Sequence, residues 1–418
     1  MRAPSTLREW VVPVIAAALI AQTACSDSSE VLEGTAVRDS AGIRIVDNAA
    51  PMSSAWSVDP NPSTEIGGDE ADSTQLLFAV AGAVGLTDGR IVVAHGPAPM
   101  VRWFDASGAY VTGTGRPGGG PGEFGGGESA RISMLWPMAG DSVATWEHAP
   151  RRMQVFSPGG RFVRAVVLDL PPDMPVRAYP QLVGRLDGGF VAFLITPRQP
   201  GVMGEVVREP VTYIRYLDDG TYAGEIATLP GFTSYTYEYE TPDGRQIPVN
   251  GRPPFAKLPS AWPGEDRLYY GSAEQYEIAV YDSMGSVEML IRKPVPNQPV
   301  TAQLIDIYKT TTMAGAPDDP AQRRLWDQMI NRAPYPEAFP AYRRLRVDRL
   351  GALWVQGYNL PGADSVTWSV FDRDGQWLSD VTIPEPWQVL DIGADYLLLL
   401  VRDELDIERV RRHSLVRS

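Results

Sequence analysis

The residues best suited to chemistry are two of the three histidines and a few acidic or phenolic neighbours. His95 stands alone, His148 follows Glu147, and Glu274 with Tyr276 forms a similar polar group further along the chain. Imidazole and carboxylate groups that are held together can bind a divalent cation or transfer protons. The sequence therefore predicts these five residues as candidate ligand-binding positions. The alternative interpretation is that they are polar loop residues with local partners.

The fold is indicated by a recurring unit: an apolar strand with an aromatic residue, followed by a short turn that closes on glycine. Copies of this unit occupy residues 101–108, 153–160, 213–220, 278–285 and 368–375. A unit repeated in this way predicts an array of hairpins, none of which can bury its own faces. A second turn, often Asp-Gly, precedes each copy, and Asp-Gly between extended segments is a strong hairpin signal. One complete unit is thus a four-stranded antiparallel sheet.

Six such units fit the chain, at about 80–115, 131–168, 180–228, 255–292, 343–382 and 387–418. The last unit lacks its outer strand, whereas segment 42–47 is a turn and strand with no unit in front of it. The sequence therefore predicts an all-β fold over residues 37–418, a six-bladed β-propeller of four-stranded antiparallel blades. In this prediction the N-terminal strand 42–47 completes the last blade, which removes the free edges of an open array.

The propeller prediction gives the candidate residues related positions. His95 and His148 follow the second strands of the first two units, and Glu274 and Tyr276 lie in the matching loop of the fourth. Equivalent loops of a propeller emerge on one face, so these side chains could meet near a mouth of the central channel. No segment has the spacing of a known metal site, so no cofactor is predicted. Ca²⁺ or another divalent metal in the channel is kept as a possibility.

Two segments carry a resemblance to a known family. Residues 115–124 form a glycine- and proline-rich crossing after the first unit, and residues 347–355 form a turn and strand in the fifth. Together with the repeats they resemble bacterial six-bladed β-propeller lipoproteins, which are related to NHL-repeat propellers. The resemblance covers most of residues 35–418. It implies the architecture and the cellular location of the protein, and it implies little about its activity.

The N-terminus has the pattern of an export signal. Positive charge precedes the apolar run 11–21, which is too short to span a bilayer, and Cys25 follows as the only cysteine. The sequence predicts a signal peptide over 1–24, lipid attachment at Cys25 and a tether over 25–36. This places the protein in the cell envelope, anchored by lipid. Because Gln22 stands where lipoprotein signals usually have an aliphatic residue, a secreted soluble protein is the alternative.

The charge balance excludes some partners. The chain has 418 residues and a formal net charge of −14. Nucleic-acid binding needs a basic face that displaces counterions, so no nucleic-acid partner is predicted. The acidic balance also argues against adhesion of the folded body to anionic lipid. The protein is expected to be a monomer that contacts the membrane through its N-terminal lipid.

Three insertions interrupt the repeats, and the first, about 195–210, lengthens a loop of the third blade. The second, about 231–256, has three alternating tyrosines and predicts an extra hairpin with a tyrosine face, at Tyr235, Tyr237 and Tyr239. The third, about 301–340, lies between the fourth and fifth blades and predicts two short helices. Thr301 can cap the first helix, and Asp319 followed by proline is a good start for the second. The helices are expected either to cover part of a channel mouth or to brace the ring.

The favoured function is that of a binding or scaffold module for an extracytoplasmic protein, peptide or glycan. The alternative is a metal-dependent propeller hydrolase or lyase of the gluconolactonase kind, with its site at a channel mouth. No serine lies in a nucleophile elbow, and Cys25 is assigned to the signal, so no catalytic residue is predicted. A propeller alone does not decide between these functions, because the fold hosts many activities.

Overall fold

β-Strands make up about half of the described chain, which comprises residues 34–69, 71–96, 100–125, 131–148, 150–174, 178–196, 201–241 and 243–417 of a computed structural model. The predicted signal peptide 1–24 and Cys25 lie outside these residues. The described part also contains two α-helices and one 3-10 turn, Ala139–Asp141. Neither α-helix is long and apolar enough to cross a membrane.

The strands are numbered in chain order. Those before the first repeat are β1 (Thr35–Ser40), β2 (Ile43–Asn48), β3 (Ser57–Val58) and β4 (Thr64–Ile66). Sheet one contains β5 (Val80–Gly85), β6 (Ile91–His95), β7 (Met100–Phe104) and β8 (Tyr110–Thr114). Sheet two contains β9 (Ile132–Pro137), β10 (Val143–Glu147), β11 (Arg152–Phe156) and β12 (Phe162–Val167). Sheet three contains β13 (Tyr179–Leu186), β14 (Gly189–Ile195), β15 (Val206–Leu217), β16 (Tyr222–Glu240) and β17 (Gln246–Gly251).

Three more sheets follow. Sheet four contains β18 (Ser260–Pro263), β19 (Arg267–Gly271), β20 (Glu277–Asp282) and β21 (Val287–Arg292), and α1 (Ala302–Ala314) and α2 (Pro320–Arg332) come after it. Sheet five contains β22 (Tyr342–Val347), β23 (Leu353–Gly357), β24 (Ser365–Phe371) and β25 (Trp377–Pro384). Sheet six contains β26 (Gln388–Ile392), β27 (Tyr396–Arg402) and β28 (Glu408–Val416). Neighbouring strands of one repeat are antiparallel, so the predicted unit of four antiparallel strands is confirmed.

Both faces of the repeated strands are buried. In β7, Trp103 packs in a cluster with Phe156 of sheet two, whereas the next residue, Phe104, packs in a cluster with Leu398 of sheet six. Consecutive side chains of a strand point to opposite faces, so this strand needs apolar residues on both. Sheet one therefore lies between sheets two and six, and the first and last repeats are neighbours.

The glycine that ends the repeated turn packs against the preceding sheet. Gly285 has a φ of +89°, and a Cβ there would lie 2.0 Å from the carbonyl oxygen of Ile226 in sheet three. Gly108 has the same φ, and a Cβ there would lie 2.6 Å from the carbonyl oxygen of Glu65, in β4. Only glycine combines this backbone conformation with so close a contact. The recurrent glycine thus reflects the packing of one sheet on the next.

The N-terminal strand joins a different sheet from the one expected. Strand 42–47 was predicted to complete the last blade, but β2 pairs in parallel with β21 at the outer edge of sheet four. The predicted pairing is wrong. β1 then pairs with β2 as an antiparallel hairpin, so that sheet four has six strands.

The buried side chains of β2 explain this position. Val46 is fully buried in a cluster with Met289 and Ile291 of β21. The Asn48 amide donates a hydrogen bond to the carbonyl oxygen of Gly375 (2.9 Å) and accepts one from the backbone N–H of Trp377 (2.9 Å). The strand therefore fills the seam between sheets four and five. The turn before β2 predicts a hairpin from local sequence, but not the sheet edge that the hairpin joins.

Sheet six is completed by a later N-terminal segment. β4 pairs antiparallel with β28, and its Ile66 is fully buried. Glu65 binds Arg409 (3.0 Å) and Arg411 (2.6 Å) of β28 on the other face. β3 pairs with the end of β28. The chain's beginning thus does complete the last sheet, through strands of three and two residues.

The helical insertion begins as its capping residues indicate. The Thr301 hydroxyl accepts a hydrogen bond from the Leu304 N–H, and the Asp319 carboxylate accepts from the first N–H groups of α2. Such caps satisfy the free N–H groups of a helix start. They fix where α1 and α2 begin.

The predicted tyrosine face is covered by α2. The rings of Tyr235 and Tyr237 stack at 5.2 Å and are buried. The Tyr235 hydroxyl donates to the carbonyl oxygen of Met329 (3.3 Å), and Arg332 donates to that of Glu238 (2.9 Å). Because α2 occupies this face, the tyrosines brace the insertion and do not offer a surface to a partner.

Candidate functional site

A central cavity of about 390 Å³ is lined by the first strand of every sheet. The six strands contribute Gly82, Ser133, Gln181, Ser260, Arg344 and Gln388, among others. One cavity can touch all these strands only if the sheets are arranged around it. This arrangement makes the cavity the place where residues from distant repeats meet.

The charge of the central cavity is opposite to that of the protein. Its charged lining residues in the described chain are Arg344 and Arg346, and neither Asp nor Glu is among the lining residues. Both arginines come from β22, which also carries Arg343. The whole chain has a net charge of −14, so a purely cationic interior is a local feature. Field lines focused in such a cavity attract an anion.

These arginines also lack the partners that most arginines of the protein have. Arg349, two residues past β22, binds the Asp391 carboxylate at 2.9 Å. No carboxylate of the described chain forms such an ion pair with Arg344 or Arg346. The Arg346 guanidinium instead lies 4.7 Å from the ring centroid of Trp262, and its Nε is buried without a hydrogen-bond partner among the described residues.

Burial and a neighbouring arginine lower the pKa of both Arg344 and Arg346. Burial and, to a smaller extent, the Arg344 charge lower the pKa of Arg346 to about 10, against the opposing effect of Asp391. Burial and the Arg343 charge likewise lower the pKa of Arg344. The groups remain cations at neutral pH, so like charges face each other in a partly desolvated space. A bound anion would offset this repulsion and supply the missing hydrogen-bond acceptors.

A smaller cavity of about 260 Å³ adjoins the central one. Arg344 and Gln388 line both, whereas Arg343, Glu385 and Trp387 line the smaller cavity and not the central one. Burial raises the pKa of Glu385, and the Arg343 charge opposes this rise. One oxygen of this carboxylate is buried without a partner in the part of the chain that the structure describes. The smaller cavity extends the row of arginines away from the centre.

Glu147, one of the five predicted positions, is a buried carboxylate engaged by donors of the protein. Its side chain is 2% exposed and binds the Arg152 guanidinium at 2.7 Å. It also accepts hydrogen bonds from the Gly125 N–H (2.8 Å) and from the Gln154 amide (3.1 Å). These donors leave little of the carboxylate available to a ligand. The glycine-rich crossing at 115–125 is thereby held on sheet two.

The two predicted histidines are packed in the protein. The His148 ring lies edge-on against Tyr179, with centroids 4.4 Å apart, and burial lowers its pKa. His95 is buried at the end of β6, and its Nε2 has no partner among the described residues. Neither ring is among the residues that line the central cavity.

The remaining two positions have separate partners as well. Glu274 is half exposed and binds Arg208 at 2.5 Å. Tyr276 packs edge-on against Tyr342, with centroids 5.5 Å apart, and burial raises the pKa of its hydroxyl. Within the described ranges no group of three or more His, Cys, Asp and Glu side chains is placed to hold a metal ion. A ligand-binding role for the five residues stays a prediction.

The arginines of β22 are not among the residues predicted from the sequence, because histidines and carboxylates are the usual signals of a metal or proton-transfer site. A signal exists: the segment 342–347 reads Tyr-Arg-Arg-Leu-Arg-Val, with three cations in what the repeats identify as a first strand. First strands of a propeller face the channel, where isolated charge is costly to bury. Cations in such a strand indicate a ligand or a counter-charge.

The buried His95 predicts a pH dependence of stability. Burial, with a smaller contribution from Arg102, lowers its pKa to about 4, against about 6.5 in an unfolded chain. As the pH falls from 6.5 to 4, the unfolded state takes up a proton that the folded state refuses, so stability is lost over this range. We expect a cost of about 2 to 3 kcal/mol.

The measurement is urea denaturation of the protein and of His95→Leu between pH 4 and 7.5. The variant should lose less stability over this range, because leucine takes up no proton in either the folded or the unfolded state. Parallel pH profiles would contradict the prediction.

No protein-family model matches the chain, and no curated protein matches it in sequence. Among solved structures, it is similar to a member of the DUF4221 family from Bacteroides vulgatus, with 10% identity, a TM-score of 0.48, and coverage of 86% of this chain and 98% of that one. It is also similar to virginiamycin B lyase from Staphylococcus aureus, with 13% identity, a TM-score of 0.38, and coverage of 84% and 98%. For regucalcin from Agrobacterium tumefaciens, described as a calcium-binding protein, the identity is 11%, the TM-score 0.37, and the coverage 88% and 97%.

Proposed function

We propose that the chain is an exported, lipid-tethered six-bladed β-propeller that serves as a binding module, and that its central cavity receives an anionic group of an extracytoplasmic protein, peptide or glycan. The observation that carries this proposal is the cavity lined by Arg344 and Arg346, with no carboxylate among its described lining residues. The export and the tether rest on the sequence of residues 1–25.

The blade count is supported by two features. The described residues form six sheets, and the first strand of each lines one cavity. Sheet one also packs on both sheet two and sheet six, as a closed ring requires. Closure leaves no free edge, which suits a rigid platform for a ligand.

The chemistry of arginine favours binding over catalysis. A guanidinium is a permanent cation with five donors in a planar fork, and it recognises carboxylate, phosphate or sulfate through paired hydrogen bonds. It is a poor proton carrier at neutral pH, because its pKa stays high even after burial. A cavity whose charged lining residues, in the part of the chain that the structure describes, are all arginines is therefore suited to holding an anion.

The test is calorimetric titration with anions of different chemistry. Citrate, inorganic phosphate, a triglutamate peptide and trigalacturonate are the probes, and neutral maltotriose is the control ligand. We expect at least one anion to bind, with an affinity that falls as salt is added. Arg344→Gln and Arg346→Gln should each lower the affinity for that anion tenfold or more, since a hydrogen bond to a charged group contributes about 1.5 to 3 kcal/mol.

The matched control is Arg324→Gln, which removes an exposed arginine of α2. It changes the net charge equally but leaves the cavity intact, so its affinity should equal that of the unmodified protein. The proposal is contradicted if no anion binds, or if all three variants weaken binding to the same extent.

A further inference from the structure

A second cavity, here called the insertion pocket, lies beside α1. Its volume is about 490 Å³, and its lining residues come from segment 252–258, α1, the start of β22 and loop 358–363. None of its described lining residues lines the central cavity. The volume suits a group of one or a few residues.

The insertion pocket is cationic at its rim. Arg252 and Arg343 line it and are exposed, and none of its described lining residues is Asp or Glu. The Arg252 guanidinium lies 5.8 Å from the ring centroid of Phe232, and no ion pair with a carboxylate engages it in the described chain. Arg343 also acts on Glu385 in the smaller cavity, but neither arginine forms an ion pair with a carboxylate of the described chain. Two such cations at one rim favour an anionic group that stays near solvent.

The floor of the insertion pocket is aromatic and rigid. Phe255 is buried, with its ring 5.0 Å from that of Tyr308 and 4.6 Å from that of Phe339. Tyr358 forms another part of the wall, 5.3 Å from Phe339. Prolines restrict the surrounding backbone, at Pro253, Pro254, Pro340 and Pro361. A preformed aromatic floor binds an apolar group with little loss of conformational freedom.

The backbone at Phe255 is strained. Its φ is +56°, in the left-handed region that bulky residues rarely adopt. Strain of this kind persists where the surrounding structure holds it, and it is concentrated at functional sites. Here it presents the Phe255 ring as the floor of the insertion pocket.

An unsatisfied acceptor completes the site. Asn359 lines the insertion pocket, and its side-chain oxygen is buried without a hydrogen-bond partner among the described residues. A buried acceptor in this state is costly unless a donor reaches it. The pocket therefore offers three complementary features: cations at the rim, an apolar floor and an acceptor for an N–H group.

We infer that the insertion pocket binds the C-terminal residue of a peptide that ends in an apolar side chain. The terminal carboxylate binds Arg252 and Arg343, the side chain packs on the aromatic floor, and the terminal backbone N–H donates to Asn359. An N-acylated amino acid has the same chemistry. This inference does not depend on the central cavity, because no described residue lines both sites.

The test titrates the protein with four compounds. They are acetyl-Gly-Ala-Phe with a free carboxylate, the same peptide as its carboxamide, N-acetylphenylalanine, and 3-phenylpropionate, which lacks the N–H. The free acid is expected to bind at least tenfold more tightly than the carboxamide and than 3-phenylpropionate. Equal affinity of acid and amide, or equal affinity of peptide and 3-phenylpropionate, would overturn the inference. Comparable binding of N-acetylphenylalanine and the peptide would identify a single residue as the recognised unit.

Variants locate the site. Arg252→Gln and Tyr308→Ala should each weaken the free-acid peptide at least tenfold, whereas Arg346→Gln and the exposed control Arg324→Gln should leave it unchanged. For anions that bind in the central cavity the opposite is expected. Arg346→Gln should weaken their binding, and Arg252→Gln should leave it unchanged. Loss of peptide binding in Arg346→Gln alone would assign the peptide to the central cavity and overturn the inference.

Discussion

Gly285→Ala is expected to lower the free energy of unfolding by about 2 to 5 kcal/mol. The added methyl group would lie 2.0 Å from the carbonyl oxygen of Ile226, which is backbone and cannot rotate away. The φ of +89° adds the cost of a left-handed conformation, about 1 to 2 kcal/mol for alanine. The remaining 1 to 3 kcal/mol or so comes from forcing sheets three and four apart.

Gly351→Ala is the matched control for this change. Gly351 has a φ of +84° in a similar turn, but a Cβ there meets no atom of the described residues within 4 Å. The free energy of unfolding of Gly351→Ala should therefore fall only by the cost of the left-handed conformation. Urea denaturation followed by tryptophan fluorescence measures both variants. Equal losses would show that the recurrent glycine is needed only for its turn, and that it has no role in packing one sheet on the next.

The repeats predicted the antiparallel sheets because the information is local. The unit expected at about 131–168 corresponds to β9–β12, from Ile132 to Val167. Turn glycines and alternating apolar residues specify a hairpin within a few residues. Both faces of each strand are apolar, which correctly indicated sheets packed on each other.

The pairing of the N-terminus was not predictable in the same way. The turn 39–42 and the strand after it resemble any other hairpin of the chain, so the pattern carries no information on the partner. What decides the partner is burial of Val46 and the hydrogen bonds of Asn48 across two sheets. The strands that do complete sheet six are too short to show a period.

The candidate site was also beyond a search by residue type. Histidine next to glutamate is a common catalytic pattern, but Glu147 is engaged by Arg152, five residues along the chain. Conversely, Arg344 and Arg346 resemble ordinary surface charges until the fold places them in a cavity without a carboxylate. Whether a charge has a partner is a tertiary property. The sequence supplies only the position of the charge in the repeat.

Arg152→Met is expected to lower the free energy of unfolding by about 3 to 5 kcal/mol. The substitution leaves the Glu147 carboxylate buried, with the Gly125 N–H and the Gln154 amide as its remaining donors. Removing one partner of a buried ion pair costs far more than the pair contributes, because the other charge stays desolvated. Arg152 also donates to the carbonyl oxygens of Gly119 (2.9 Å) and Glu123 (2.7 Å), so the glycine-rich crossing loosens in the variant.

The control for Arg152→Met is Glu274→Gln, which breaks the half-exposed ion pair with Arg208. Surface ion pairs contribute at most about 1 kcal/mol, so its unfolding midpoint in urea should shift little. The contrast separates the two interpretations of the polar residues in these equivalent loops. If Glu147 were a ligand group that the fold tolerates, Arg152→Met would cost no more than Glu274→Gln. If Glu147 is part of the scaffold, Arg152→Met should unfold at a clearly lower urea concentration than Glu274→Gln.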